Sequence, residues 1–442
     1  MRRLIAIMAV LALILAACGD GDGAEETTTT AGDTPEETTA DTTAGTEATE
    51  DTEATEDTEA TDGEPSGDPI RIGGSLGLTG SFAGPSEHYQ ILYEAAVEEI
   101  NENGGLLGRP VELVLYDDES TQETAQSLYQ RLIDEDEVDF LLAPYTTFIG
   151  GAVVPVVRPT GKVMINAGFV GTELARQYER MFMVWTFQEP DWTRSFFEML
   201  DELPEEDQPE TMAVLTAQNP FTIMERDGFE GEAGVLNYAE ERGIEVVVDE
   251  EYPTDATDLT GLVQRAADAE ADALVALGLP NDAALIARTV AEVGYEPDFY
   301  CACGSSVTTF PVWHELSSEA ANHVYSVVTS WEDDDPAQFP GLDTVVEIFQ
   351  EEGFEEMPAY GPVAYAAIQV LAQAVEETGT TDNDAIADYL YENEFQTATG
   401  TLSFDEFGLS EYSGGLVQFI DGDNTLVWPS DRAGGEPVIP TE

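Results

Sequence analysis

From residue 70 onward, short apolar runs alternate with segments whose apolar residues recur every three or four positions. The runs at 70–78, 111–116 and 140–143 predict strands, and the periodic segments at 88–100 and 121–133 predict helices between them. A chain that alternates in this way folds into parallel sheets with helices packed on their faces. The sequence therefore predicts an α/β protein.

A second series of the same kind begins near residue 192. It comprises predicted helices at 192–203, 228–242, 259–269 and 282–293 and predicted strands at 212–215, 245–249 and 273–277. No internal sequence repeat links the two series, so their similarity is architectural. With 442 residues, 42% of them hydrophobic, the chain is long enough for two large folding units and a non-globular segment.

The amino terminus has the charged-then-apolar order of an export signal. Two arginines precede an apolar run at 4–17, which is shorter than the roughly 20 residues that cross a bilayer. The run ends in Leu15-Ala16-Ala17-Cys18-Gly19, which resembles the lipobox of bacterial lipoproteins. This resemblance implies a signal peptide at 1–17 and a lipidated Cys18, whose two acyl chains anchor the protein outside the cytoplasm. The alternative is an ordinary secretory signal followed by an incidental cysteine.

Residues 18–68 consist mainly of Thr, Glu, Asp, Ala and Gly, with no basic residue. A segment with so few large apolar side chains cannot form a core. The run TEATED at 46–51 recurs after it with a six-residue period, which indicates low complexity. We therefore predict a disordered acidic tether between the lipid and the folded part of the chain.

Acidic residues dominate the whole chain. It has 90 acidic and 15 basic residues and a formal net charge of −75. Only 18 of the acidic residues and two of the basic ones lie in residues 1–68, so the folded part is itself strongly acidic. Such a surface repels phosphate backbones, which excludes nucleic acids as partners.

Several segments resemble the leucine/isoleucine/valine-binding protein family. They are IGGSLGLTGSF at 72–82, AAVEEINENGGLLGR at 95–109, YDDES at 116–120, YGPVAYAA at 360–367 and LSFD at 402–405. Members of this family are extracytoplasmic receptors of ABC importers. The resemblance implies a type I periplasmic-binding-protein fold, in which two doubly wound α/β lobes joined by a hinge enclose a ligand cleft. It places one lobe at 70–187 plus 331–411 and the other at 188–330 plus 412–442.

The same resemblance implies a role in transport. The protein would capture a small amino acid, amide or organic acid by hinge closure and deliver it to a membrane permease. Its partners would be this solute, the permease and ATPase subunits of an ABC importer, and the membrane through its lipid anchor. The resemblance implies a monomer without a cofactor. The other possibility is a ligand-sensing module for a membrane signalling partner.

Eight residues are candidates for contact with the solute, because they fall at or near contact positions of the family. They are Phe82, Thr146, Thr147, Gly168, Phe169, Phe221, Cys303 and Tyr360. Thr146 and Thr147 precede a predicted helix, where hydroxyl groups and free backbone N–H groups can hold a carboxylate. The alternatives are that Thr147 only caps the helix and that the aromatic rings belong to the core.

The segment around Cys303 departs from the family pattern. At 300–306 the amino-acid binders place a glutamate that pairs with the ligand ammonium, and this chain has no carboxylate there. Either Glu189 or Asp191 supplies the charge, or the solute has no α-ammonium group. Cys301 and Cys303 are either two buried thiols or a disulfide.

The sequence indicates no catalytic residue and no metal site. His88, His314 and His323 are its only histidines, and no serine lies in a Gly-x-Ser-x-Gly motif. The cysteines and histidines match no established zinc spacing. The glycines of 73–80 lack the spacing of a dinucleotide-binding loop. We therefore predict a binding protein and not an enzyme.

Overall fold

The computed structural model describes residues 65–229, 231–354 and 356–440. They form two large sheets flanked by helices and one small two-stranded sheet. The predicted signal peptide, Cys18 and most of the predicted tether lie outside these described residues. Within them, no helix combines the length and the apolar character that a membrane crossing requires.

The first sheet is entirely parallel and has the strand order β2-β1-β3-β4-β5. Its strands are β1 (Ile70–Leu76), β2 (Val111–Asp117), β3 (Phe140–Leu142), β4 (Met164–Asn166) and β5 (Met181–Met183). The helices that connect them are α1 (Ala83–Glu102), α2 (Gln122–Asp134), α3 (Thr147–Val157) and α4 (Thr172–Ala175). Every residue of β3, β4 and β5 is buried, as expected for strands with helices on both faces.

The second sheet begins with five more parallel strands. They are β6 (Thr211–Ala217), β7 (Glu245–Tyr252), β8 (Ala273–Leu277), β9 (Phe299–Cys301) and β10 (Val324–Val328). The helices of this half are α5 (Arg194–Glu202), α6 (Pro220–Asp227), α7 (Val235–Arg242), α8 (Thr260–Asp268), α9 (Pro280–Val293), α10 (Pro311–His314) and α11 (Ser318–Ala321).

After β10 the chain returns to the first sheet and then comes back to the second. The returning segment contains α12 (Leu342–Glu352), α13 (Tyr360–Thr378), α14 (Asn383–Glu392) and the hairpin of β11 (Phe395–Thr397) and β12 (Gly400–Leu402). Helix α13 packs against α1 and β4 of the first sheet. The last strands, β13 (Gly415–Ile420) and β14 (Asp423–Trp428), are antiparallel and complete the order β14-β13-β10-β9-β8-β6-β7.

The chain thus passes three times between the two sheets, after β5, after β10 and after β12. A hydrogen bond joins the first crossover to the third: the Ser413 amide donates to the Thr186 carbonyl at 2.7 Å. The predicted lobe bounds fall close to these crossovers and stay a prediction.

Arg432, which follows β14, ties the second and third crossovers together. Its guanidinium forms a bidentate pair with Asp334, with N–O distances of 2.8 and 2.6 Å. It also donates to the carbonyl oxygens of Thr329 and Gly414. The Asp334 side chain is only 1% exposed, so a buried ion pair fixes the region where the chain changes sheet.

The prediction of a helix at 228–242 is wrong for the first half of this range. Gly228 ends α6 with a φ of 78°, and a Cβ at this position would lie 2.3 Å from the Glu232 carbonyl oxygen. A turn that needs a left-handed glycine interrupts the helix, and α7 begins only at Val235. The preceding helix, α6, has no counterpart among the predicted elements.

Candidate functional site

The eight predicted contact residues lie at corresponding ends of the two sheets. The carboxyl ends of β1, β3 and β4 in the first sheet are followed by Phe82, by Thr146 and Thr147, and by Gly168 and Phe169. The carboxyl ends of β6 and β9 in the second sheet are followed by Phe221 and Cys303. Tyr360 is the first residue of α13. Open α/β sheets bind ligands beyond the carboxyl ends of their strands. The topology therefore brings these residues to the expected position, although their contact with a solute stays a prediction.

The two threonines have internal hydrogen bonds. Thr146 caps α3, because its hydroxyl oxygen accepts from the Ile149 amide at 3.4 Å. The Thr147 hydroxyl donates to the Val170 carbonyl at 2.7 Å, so Thr147 is not the cap. Thr146 has a φ of 74°, which is unusual for a β-branched residue and stores backbone strain.

Gly168 and Phe169 shape the loop beside these threonines. The Gly168 carbonyl accepts from the Thr146 amide at 3.0 Å, and a Cβ on Gly168 would lie 2.1 Å from the Pro144 carbonyl oxygen. Only glycine fits this approach of two loops. The Phe169 ring is buried against Gly150, which is the packing expected of a core residue.

Tyr360 lies at the centre of a group of aromatic rings. Its ring centroid is 5.0 Å from that of Phe310, 5.5 Å from Trp185 and 5.9 Å from Tyr145. Its hydroxyl is 2.6 Å from the Ser305 hydroxyl, in the loop after β9. Tyr360 thereby connects α13, which packs on the first sheet, with a loop of the second.

The ring contacts continue from Tyr360 into the second half of the molecule. Trp185 contacts Trp192 at 5.2 Å, and Trp192 contacts Phe221 on α6, also at 5.2 Å. We call Tyr145, Tyr360, Trp185, Trp192 and Phe221 the aromatic chain. It contains two of the predicted apolar contact residues, while a third, Phe82, packs against its first member at 5.7 Å.

Glu189 lies between Trp185 and Trp192 of the aromatic chain in the amino-acid sequence. From the sequence, it is one of the two carboxylates considered as a partner for the solute. Its side chain is buried, and one carboxyl oxygen accepts from the amide and the hydroxyl of Thr172. The other oxygen has no hydrogen-bond partner within the described part of the chain. Burial raises the pKa of Glu189 to about 7, against the opposing effect of the Thr172 hydrogen bonds.

Asp191, the other residue considered, already has partners. Its carboxyl group accepts from the Tyr238 hydroxyl at 3.3 Å and lies 3.7 Å from the Arg194 guanidinium. Burial raises its pKa, and Arg194 opposes this effect. Asp191 is thus less available to a ligand than Glu189.

Sequence reasoning missed a third acidic residue, Glu225 on α6. It is fully buried, and neither of its carboxyl oxygens has a hydrogen-bond partner among the described residues. The signal for its helix was present, because Asn219 and Pro220 are typical N-cap and N1 residues after a strand. The Asn219 side chain indeed accepts from the Thr222 amide at 3.1 Å.

Of the two alternatives for the cysteines, the structure shows the disulfide. Cys301 and Cys303 are bonded to each other, and both are fully buried. The described residues contain no group of three or more acidic, histidine or cysteine side chains placed to hold a metal ion. His314 instead lies 3.3 Å from the Glu356 carboxylate.

Comparison with known proteins gives likenesses over most of the chain. The family model described as periplasmic binding protein matches residues 69–409. The leucine-, isoleucine-, valine-, threonine- and alanine-binding protein of Pseudomonas aeruginosa is 23% identical over 344 residues, which are 75% of this chain and 86% of that protein. Leu/Ile/Val-binding protein homolog 1 of Brucella suis is 25% identical over 341 residues, or 77% and 87% of the two chains.

Solved structures confirm the predicted fold class. The leucine-binding protein LivK of Thermotoga maritima superposes with a TM-score of 0.69 at 20% identity, covering 82% of this chain and 99% of that one. LivJ of Streptococcus pneumoniae in complex with isoleucine gives 0.68 at 20% identity, with coverages of 84% and 100%. A solute-binding protein of Rhodopseudomonas palustris in complex with dihydroxybenzoic acid gives 0.65 at 17% identity, with coverages of 80% and 95%.

Proposed function

Because the chain belongs to the periplasmic binding protein family, we propose that it is the extracytoplasmic solute receptor of an ABC importer of the branched-chain amino acid type. The observation that supports this proposal is that candidate contact residues follow the carboxyl ends of strands in both sheets. Tyr360 and Cys303 are buried there, so a solute would reach them only when the two halves separate. Capture would then follow from closure about the crossovers.

The two moving bodies would be the lobes predicted from the sequence, 70–187 plus 331–411 and 188–330 plus 412–442. The packing of α13 against α1 and β4 supports the assignment of the returning segment to the first lobe. The antiparallel pairing of β13 with β10 supports the assignment of the carboxyl-terminal strands to the second.

The solute would be a small amino acid, amide or organic acid. The names of the relatives support the amino acid, and the dihydroxybenzoate complex supports an acid without an amino group. The aromatic chain offers apolar surface for the body of such a molecule. The Thr146 and Thr147 loop at the start of α3 offers backbone N–H groups for a carboxylate.

Delivery would take place at the membrane surface, where Cys18 holds the protein through its lipid. The support is the apolar run that ends at the lipobox-like sequence. The Cys18→Ala variant should leave the membrane fraction and keep its affinity for solute, because the anchor lies outside the folded part. Variant protein that stays with membranes after signal cleavage would contradict the lipid anchor.

Small-angle X-ray scattering of the full chain carrying Cys18→Ala tests the binding function. A saturating solute, found by thermal shift among amino acids, amides and organic acids, should reduce the radius of gyration through closure. A stabilising solute that leaves the scattering profile unchanged would contradict capture by closure. Uptake of the labelled solute by cells should also require the protein, which a sensing module would not show.

A further inference from the structure

Glu225 is a buried acidic residue for which the described residues supply no counter-charge. It lies in α6, is 0% exposed, and both of its carboxyl oxygens lack a hydrogen-bond partner within the described residues. An isolated carboxylate loses several kcal/mol of solvation in such a place. Buried charges in proteins are therefore paired, or the group takes up a proton.

The neighbours of Glu225 place it beside the aromatic chain. It follows Phe221 by four residues on α6, so both side chains lie on one face of that helix. The Phe221 ring contacts Trp192 at 5.2 Å. Helix α6 also packs against α3, the helix that begins at Thr147. Burial raises the pKa of Tyr360, and the charge of Glu225 adds a smaller effect in the same direction.

Glu189 adds a second negative group to the same region. One of its oxygens is bound by Thr172 and the other has no partner among the described residues. Burial raises the pKa of Glu225 well above its ordinary range, and the charge of Glu189 adds to this effect. One oxygen of Glu189 and both oxygens of Glu225 thus lack a hydrogen-bond partner in the described part of the chain.

We propose that Glu225, assisted by Glu189, is the subsite that binds a positively charged ammonium group of the solute. This inference rests on the proposed function, because it assumes that a solute enters between the two halves. Segment 300–306 has no carboxylate to pair with the ammonium group of a solute. In this proposal, Glu225 on α6 supplies that carboxylate. The solute class is then a molecule with a protonated amine and an apolar body.

The chemistry of the surroundings suits such a group. An ammonium ion donates up to three hydrogen bonds and would satisfy carboxyl oxygens that lack donors. Aromatic faces attract cations, most strongly when water is excluded. Phe221 lies one helical turn before Glu225, and its ring contacts that of Trp192, so α6 carries an acidic group and an aromatic ring on the same face.

Calorimetric titration with two matched series of probes tests this assignment. One series is leucine, isocaproate, which lacks the amino group, and isopentylamine, which lacks the carboxylate; the other is phenylalanine, hydrocinnamate and phenethylamine. The protein is the full chain with Cys18→Ala, alone and with Glu225→Gln. The control is Asp227→Asn, which removes a negative charge from an exposed position on the same helix.

We expect an amine-bearing probe to bind more tightly than its deaminated analogue. Glu225→Gln should weaken its binding by at least about tenfold and leave the binding of isocaproate or hydrocinnamate unchanged, because a buried charge pair loses one partner. Asp227→Asn should change neither affinity. Glu225→Gln should also raise the melting temperature of the solute-free protein at neutral or higher pH, which separates lost binding from lost folding.

Two results would overturn the subsite. One is a deaminated probe that binds as tightly as the amino acid, and the other is an amine whose affinity survives Glu225→Gln. In either case, the proposed function would still be supported if a bound deaminated probe, isocaproate or hydrocinnamate, reduced the radius of gyration of the protein. If no probe of either series binds, the assignment of a solute with a protonated amine and an apolar body is overturned, whereas the proposed function is decided by the scattering experiment with the solute that the thermal-shift screen identifies.

Discussion

At Glu189, burial and hydrogen bonding act in opposite directions on one carboxyl group. The amide and hydroxyl of Thr172 stabilise its charged form, but both bonds go to the same oxygen. Removal from water disfavours the charge more strongly, so the pKa rises to about 7. A side chain of this kind is charged or neutral at neutral pH according to small changes in its surroundings.

Glu189→Gln should therefore change the pH dependence of stability. Because the folded protein holds this proton more tightly than the unfolded chain, the protonated group favours folding below the ordinary pKa of 4.5, and this contribution is lost as the pH rises through about 7. We compare the free energies of unfolding of the variant and the natural protein. As the pH rises from acidic to mildly alkaline, their difference should shift by about 3 kcal/mol in favour of the variant, since a tenfold change in proton affinity corresponds to about 1.4 kcal/mol.

Urea unfolding of both proteins across this pH range measures the difference in the free energy of unfolding. Glu98→Gln, at an exposed position of α1, serves as the control and should follow the natural protein. Parallel pH profiles for Glu189→Gln and the natural protein would contradict the raised pKa.

Among the elements, α6 has the largest consequences for the site, since it carries both Phe221 and Glu225. It is only eight residues long, and helices of this length depend on their caps and their packing. The Asn219 side chain supplies the amino-terminal cap. The position of the predicted contact residue Phe221 and of the proposed subsite residue Glu225 thus depends on one asparagine outside the helix.

Asn219→Ala should lower stability by about 1 kcal/mol, because an N-cap hydrogen bond is lost. It should also weaken solute binding, because α6 positions Phe221 and Glu225. Asp382→Ala is the matched control: Asp382 caps α14, a helix that carries no candidate site residue. An equal loss of stability without a change in affinity is expected there, and equal effects of both variants on affinity would contradict a special role of α6.

The crossovers give a second prediction for elements. Arg432→Ala should destabilise the protein by about 3 to 5 kcal/mol, because it leaves the buried Asp334 carboxylate unpaired. Asp334→Ala in the same chain should recover part of this loss, which thermal unfolding of the two single variants and the double variant would measure. A double variant with the sum of both losses would contradict direct pairing.

The strands and long helices could be predicted from the sequence because their apolar patterns are regular. Strand β8, predicted at 273–277, has these bounds in the structure. Helix α6 escaped detection because it is short and polar, although Asn219-Pro220 marks its start. Glu225 could not be identified from pattern alone, since its burial results from the packing of α6 within the fold and not from the residues beside it.

At the scale of the whole molecule, the excess of acidic residues is a source of repulsion. The formal net charge is −75, and arginines such as Arg226 and Arg242 already pair with neighbouring carboxylates. Compact folding brings like charges together, which lowers stability when salt is scarce. Ions in solution shorten the range of this repulsion.

The melting temperature should therefore rise as sodium chloride is added to a low-salt buffer, and differential scanning calorimetry would measure the rise. Potassium chloride should raise the melting temperature by the same amount as sodium chloride, since screening depends on ionic strength. Sucrose at equal osmolality does not screen charges, so the melting temperature should depend differently on its concentration. A melting temperature that is constant or falls with salt would show that repulsion does not limit this fold.

At the proposed subsite, a proton and the ammonium group of the solute would compete for the Glu225 carboxyl group. Burial raises the pKa of Glu225 and so favours its protonated carboxyl, and an arriving ammonium group would expel that proton into the buffer. The heat of capture would then depend on the ionisation enthalpy of the buffer. An acidic medium would favour release, so local acidity would help to set how much solute the receptor retains.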